Sequence, residues 1–196
     1  MQKTFEVQGP VELDVRLASG DIDVDPNTEG RVEIELIAHD EESQRLVDNA
    51  RIELNPHGNR STVLVDVPQK KGFSISIFGR SGIECRIRCP HESGLSVRTK
   101  SADVSARGVL GGLNVQTASG DQRVGSVVAG RVVMQSASGD QTVGVRRGSV
   151  VHMDVRTMSG DATSDLEVRD TPLSDDAPMV ELRAVSMSGD IHISRA

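Results

Sequence analysis

At 196 residues the chain suits one domain or two small ones, but with no Trp, no Tyr and only three Phe it cannot fill a broad interior with aromatics; it needs a thin core of Val, Ile, Leu and Ala. The net charge of −7 sits in residues 1–79, which hold 8 basic and 15 acidic side chains; residues 80–196 balance, so no segment carries the basic excess of a nucleic-acid binder. No run reaches the apolar length of a bilayer span, and "MQKTFEVQGP" lacks the apolar centre of a signal peptide, so a cytoplasmic location without membrane insertion is expected.

In chain order, the first element is "LDVRLASGDIDV". Leu13, Val15 and Leu17 alternate with polar residues, Ser19-Gly20-Asp21 interrupts, and Ile22 and Val24 resume the alternation. Period two means strands with one buried face, here joined at a corner. "DPNTEG" (25–30) reads as a second turn, and "RVEIELIA" (31–38) and "STVLVDVP" (61–68) as strands. Between them "DEESQRLVDNARIEL" (40–54) opens with acidic residues suited to a helix start, which predicts a short helix. "KKGFSISIFGRSGIECRIRCP" (70–90) reads as a hairpin. Its stretch "GFSISIFG" puts Phe73, Ile75 and Ile77 on one face and Phe78 on the other, a candidate contact surface if it is not core. Cys85, Ile87 and Cys89 share a strand face. At about 3.3 Å per residue the two thiols stand about 13 Å apart, too far for a disulfide, so buried free thiols are expected.

From residue 95 the pattern of the first element returns. Aligned on the Ser of each copy, the motif opens at 101, 119, 138, 159 and 188, with gaps of 18, 19, 21 and 29 residues. The copies are the degenerate Ser101-Ala102-Asp103, then Ser119-Gly120-Asp121, Ser138-Gly139-Asp140, Ser159-Gly160-Asp161 and Ser188-Gly189-Asp190. Six and four residues upstream lie Leu95/Val97, Leu113/Val115, Val132/Met134, Met153/Val155 and Leu182/Ala184. Three and five residues downstream lie Val104/Ala106, Gln122/Val124, Gln141/Val143 and Ile191/Ile193; the copy at 159 is weakest there, with Ala162 and Ser164. One such unit cannot bury its apolar face alone, whereas stacked units can. "RDTPLSDDAP" (169–178) reads as a loop extruded from the stack.

Chemistry is harder to find. Gly tolerates positive φ, and Ser and Asp bond their own backbone in turns, so the Ser-Gly-Asp motif is explained as a corner. Stacked about 4.8 Å apart, Asp121, Asp140, Asp161 and Asp190 would repel by about 0.9 kcal/mol per pair even in water, so the column must be solvated, tied to backbone N–H groups, paired with Arg or bridged by a cation. One carboxylate per unit is too few oxygens for calcium, and no metal site is expected. His39, His57, His91, His152 and His192 show no ligand spacing. A carbohydrate-active β-helix using Asp121, Asp140 and Asp161 is the alternative, and the missing Trp and Tyr weigh against it.

The stretch "IRCPHESGLSVRTKSADVSARGVLGGLNVQTASGDQRV" resembles the adhesin-like β-strand-repeat family of unknown function, DUF4097. Its members run a Pro-terminated strand into L-x-V-x-T-x-SGD-V-x-V units and often carry an early copy, as "RLASGDIDV" is here. The likeness covers most of the chain, is strongest over 84–145, implies an adhesin-like role and brings no catalytic residue with it. The expected fold is all-β: a β-solenoid, like a single-stranded β-helix, of coils of about 18–21 residues turning at the Ser-Gly-Asp corners. Residues 1–80 form an N-terminal β segment, and 81–196 the repeat region, continuous with it as one elongated domain. The expected function is a non-enzymatic scaffold or interaction protein without cofactor, whose partner is another protein or a second copy. With coils stacked in sequence order, Ile191 and Ile193 lie on an uncapped final coil, which predicts self-association, a dimer ahead of a filament.

Overall fold

The computed structural model describes residues 1–57, 60–69, 82–166 and 177–196. Fifteen strands and one helix are present among them: β1 (Gln2–Glu6), β2 (Glu12–Thr28), β3 (Arg31–Ala38), α1 (Glu41–Asp48), β4 (Arg51–His57), β5 (Arg60–Asp66), β6 (Ile83–Pro90), β7 (Gly94–Leu110), β8 (Gly112–Ser119), β9 (Gln122–Val127), β10 (Gly130–Ser138), β11 (Gln141–Val145), β12 (Val150–Ser159), β13 (Ala162–Ser164), β14 (Met179–Ser188) and β15 (Ile191–Arg195). The fold is all-β and solenoid-like, one open 15-stranded sheet bent into two leaves. β2 and β7 belong to both leaves, because each runs unbroken through its corner.

In the leaf before the corners, neighbours run β4, β5, β2, β7, β8, β10, β14, β12. In the leaf after them the order is β1, β3, β6, β2, β7, β9, β11, β15, β13. Pairing is parallel wherever the repeat is present and antiparallel in β1–β3, β3–β6 and β4–β5. Equivalent residues are register partners: Leu13 with Leu95, Leu95 with Leu113, and Leu113 with Val132. The alternating side chains of both leaves meet in a single aliphatic core, in which Leu13, Val15, Val97, Val115, Met134 and Val143 are fully buried. Such a core needs no aromatics, which accounts for the composition.

The N-terminal pole is tied across its two edges and carries the helix. Asp40 caps α1, its Oδ1 accepting from the Ser43 backbone N–H at 2.7 Å and its Oδ2 from the Ser43 hydroxyl at 2.8 Å. These bonds hold the Asp40 carboxyl below its ordinary range. α1 buries Val47, and the Lys3 ammonium donates to the Ile52 carbonyl at 2.6 Å, tying edge strand β1 to edge strand β4. The second arm of the expected 70–90 hairpin is β6, which lies between β3 and β2; residues 70–81 fall outside the described residues.

The stacking order corrects the expectation at the other pole. The units do not follow sequence order: β14 lies between β10 and β12, and β15 between β11 and β13. The Ser188 unit is therefore internal and the Ser159 unit is the end. Ile191 and Ile193, expected on an exposed final coil, are 0 % and 1 % exposed. Residues 146–149 make the step across. The Ser149 hydroxyl donates to the Val128 carbonyl at 2.8 Å, and Arg195 Nη1 donates to the Arg146 and Ser149 carbonyls at 3.3 and 3.2 Å.

Candidate functional site

The corner column contains the repeated motif. Gly20, Gly120, Gly139, Gly189 and Gly160 hold φ of +132°, +118°, +121°, +130° and +131°, a region that side chains with a Cβ rarely enter. A Cβ on Gly139 would strike the Gly120 carbonyl, and one on Gly189 the Gly139 carbonyl, because each corner rests on the backbone of the next unit. The degenerate copy has Ala102, and there β7 passes through the corner as continuous strand.

Four carboxylates of the column, those of Asp103, Asp121, Asp140 and Asp190, each accept from the backbone of the next unit. The Asp121 backbone N–H donates to Asp103 Oδ1 at 2.9 Å, and that of Asp140 to Asp121 Oδ1 at 3.0 Å. The Asp190 N–H donates to Asp140 Oδ1 at 2.9 Å, and the Asp161 N–H to Asp190 Oδ1 at 2.8 Å. The repulsion expected of stacked carboxylates is thus opposed by charge-assisted bonds to the backbone. Arg123 adds an ion pair to Asp121 at 2.6 Å. Just inside the column Thr117 Oγ1 donates to the Ser119 carbonyl at 2.7 Å and the Ser136 hydroxyl to the Ser138 carbonyl at 2.8 Å. Buried Gln122 and Gln141 cross between leaves, donating to the Gln135 and Val185 carbonyls, each at 3.1 Å.

The remaining sequence candidates separate. Cys85 and Cys89 are free and buried in the face of β6 that also buries Ile87. Burial pushes the Cys85 thiol up to about 12 and the Cys89 thiol up to about 11, the latter against a hydrogen bond with Ser93. Neither is a ready nucleophile. Phe73, Ile75, Ile77 and Phe78 lie outside the described residues. Among the described residues no group of three or more His, Cys, Asp or Glu is arranged around a metal position, and no helix is long and apolar enough to cross a membrane. An open groove of ≈ 460 Å³ runs beside the corners, lined by Gln116, Ala118, Gln135, Ala137, Val185 and Met187. With Arg98 and the hydroxyls of Thr99, Thr117 and Ser136, that lining offers amides, hydroxyls and one guanidinium but no carboxylate or imidazole to make an acid–base pair.

The feature missed from sequence is the end unit. The inward row of β12 should be buried like its equivalents, yet Met153 is 47 % exposed and Val151 and Val155 are half-buried. Ala162 and Ser164 of β13 are exposed too. Met158, at 82 %, and Met187, at 57 %, stand on adjacent corners at the same pole. Ala162 and Ser164, in positions held elsewhere by Ile, Val, Gln and once Ala (Ala106), were the signal: the weakest copy is the one that faces outward.

A family model described as Toastrack DUF4097 matches residues 10–196. No curated protein is matched. Among solved structures, a Clostridium sporogenes protein provisionally named a cell adhesion protein is similar over 100 % of this chain and 99 % of its own, at 14 % identity and a TM-score of 0.75. A Bacteroides fragilis protein provisionally named an adhesin aligns over 100 % and 96 %, at 12 % identity and a TM-score of 0.39. The first likeness places the fold.

Proposed function

The chain belongs to the Toastrack DUF4097 family, and from that premise we propose a non-catalytic role: a β-solenoid scaffold that presents its outer faces to another protein. The coils are the units of 18–21 residues, turning at the Ser-Gly-Asp corners, and residues 1–80 and 81–196 act as one elongated body. In-register parallel pairing from β2 to β14 supports the coils, and the position of β2 between β6 and β7 supports continuity. The observation that carries the functional reading is the Asp ladder. The repeated carboxylates are engaged in joining one unit to the next rather than converging on a substrate. The cell-adhesion name of the Clostridium sporogenes protein agrees with a binding role. A carbohydrate-active reading finds no support: Trp and Tyr, the usual sugar platforms, are absent from the sequence.

The test is a glycan panel read twice, for binding and for released reducing ends, on the wild type and on Asp121→Asn. A scaffold shows no turnover. Hydrolysis by the wild type that disappears in Asp121→Asn would replace the proposal with an enzymatic one.

A further inference from the structure

We infer that the Ser159 end of the stack is a homodimer interface, in which β12 pairs antiparallel with β12 of a second copy and Val155 lies on the two-fold axis. The inference rests on the protein-interaction role proposed above and names the partner as a second copy of this chain.

The open end is built to be covered. Among the described residues β12 pairs only with β14 and β13 only with β15, so the outer edge of both leaves is unpaired. The row Val151, Met153, Val155 points where the core would continue, and Met153 is 47 % exposed there. The opposite pole is different in kind, with antiparallel edge strands, the buried contact of α1 and the Lys3 tie across β1 and β4. Head-to-tail stacking would bring unlike surfaces together, whereas end-to-end stacking matches like with like and closes after two copies.

The sequence of β12, "VVHMDVRTMS", is self-complementary when reversed about Val155. Val155 meets its own counterpart, Met153 meets Thr157 of the second copy, and Asp154 meets its Arg156; symmetry makes each of the last two pairs twice. Asp154 already lies 3.9 Å from Arg183 of β14 and accepts from Arg156 of its own strand at 2.8 Å. In the dimer it would stand between Arg183 on one side and the second copy's arginine on the other, continuing an alternation of sign across the seam. Opposite charges directly across an antiparallel pair stabilise it, and like charges oppose it.

The area suits a weak, reversible dimer. At about 3.3 Å per residue β12 spans about 33 Å and β13 about 10 Å, and each leaf with its outward side chains is roughly 10 Å wide. The end face is then roughly 400 Å² per copy, below the about 800 Å² per partner of a standard interface and in the range of weak, transient ones.

Sedimentation equilibrium on the full chain tests this with Asp154→Arg, Arg156→Asp, the double variant and Met153→Lys. The wild type is expected to dimerise. Each charge reversal is expected to raise the dimer Kd at least about tenfold, because it sets like charges opposite one another twice. The double reversal should restore the wild-type Kd, and Met153→Lys should leave a folded monomer, checked by an unchanged circular dichroism spectrum. A wild type that stays monomeric at its highest attainable concentration would overturn the inference. So would a dimer indifferent to Met153→Lys, or a double variant no better than the singles. A monomer without glycan turnover leaves the scaffold proposal standing with a heterologous partner, so the two failures are distinguishable.

Discussion

Replacing Gly139 by Ala tests whether the corners are what locks one unit onto the next. Two costs combine at that position. With φ at +121° any Cβ is strained, at about 1–3 kcal/mol. The Cβ also lands against the Gly120 carbonyl, 2.7 Å from its carbon, and the obstacle is backbone held in a ladder rather than a side chain free to move. Forcing packed atoms apart typically costs a further about 1–3 kcal/mol, so the sum is about 2–6 kcal/mol, centred near about 4. Gly148→Ala is the matched control: its φ is +91°, but nothing lies within 4 Å of the added atom, so only the first cost applies. For a chain of this length about 1 kcal/mol moves Tm by about 2–4 °C. Differential scanning calorimetry should therefore show Gly139→Ala melting about 10 °C or more below the wild type and Gly148→Ala only a few degrees below. Equal shifts would mean that the corner tolerates a displaced neighbour and that contact between units adds nothing to the backbone cost.

Asp140→Ala removes the acceptor of the Asp190 N–H and should cost about 1–2 kcal/mol in chemical denaturation, whereas Asp140→Asn keeps an oxygen there and should cost less; equal losses would show that charge rather than the hydrogen bond matters. Cys85 and Cys89 should resist an aromatic disulfide reagent in the native state and react on unfolding. Their folded-state pKa values stand above the ordinary 9.0, so the stability tied to the neutral thiols is complete below pH 9 and is lost as pH rises through about 11 to 12; stability flat over that range would contradict the burial. Deleting residues 177–196 should remove amide-exchange protection from 150–164 as well, because among the described residues β12 and β13 pair with the stack only through β14 and β15; retained protection would show that β12 can dock on β10 instead.

Much of the fold was legible because its signals are local. Period two gave the strands of every unit, and the spacing of the Ser-Gly-Asp copies aligned residues that are now register partners, such as Ser119 with Ser138 and Ser138 with Ser188. The acidic start of 40–54 marked α1, although the same stretch also held the beginning of β4, whose apolar Ile52 and Leu54 are few enough to pass for the end of a helix. β1 escaped notice because "QKTFE" carries only one apolar residue and packs as an edge. Ile191 and Ile193, expected at an exposed end, are buried for a non-local reason: spacing along the chain says which residues are equivalent but not which unit is whose neighbour.

What orders the units is burial. The Ser188 unit brings Leu182, Ala184, Ile191 and Ile193 to the interior, and the Ser159 unit brings Met153, Val155, Ala162 and Ser164. The end position leaves such side chains about half exposed, as Met153 shows. Moving Ile191 and Ile193 there in place of Ala162 and Ser164 would half-expose about three extra carbons on each, which at about 0.8 kcal/mol per buried CH₂ costs about 2–3 kcal/mol. The compensating demand on the chain is slight. Residues 146–149 must step two strand spacings, about 9.6 Å, where four residues reach about 13 Å when extended. The long connection from β13 to β14 is needed in either order. Burial therefore outweighs chain connectivity, and the polar copy is driven to the pole. The same preference leaves β12 as the exposed edge, so the composition that orders the stack also selects which strand is left without a neighbour among the described residues.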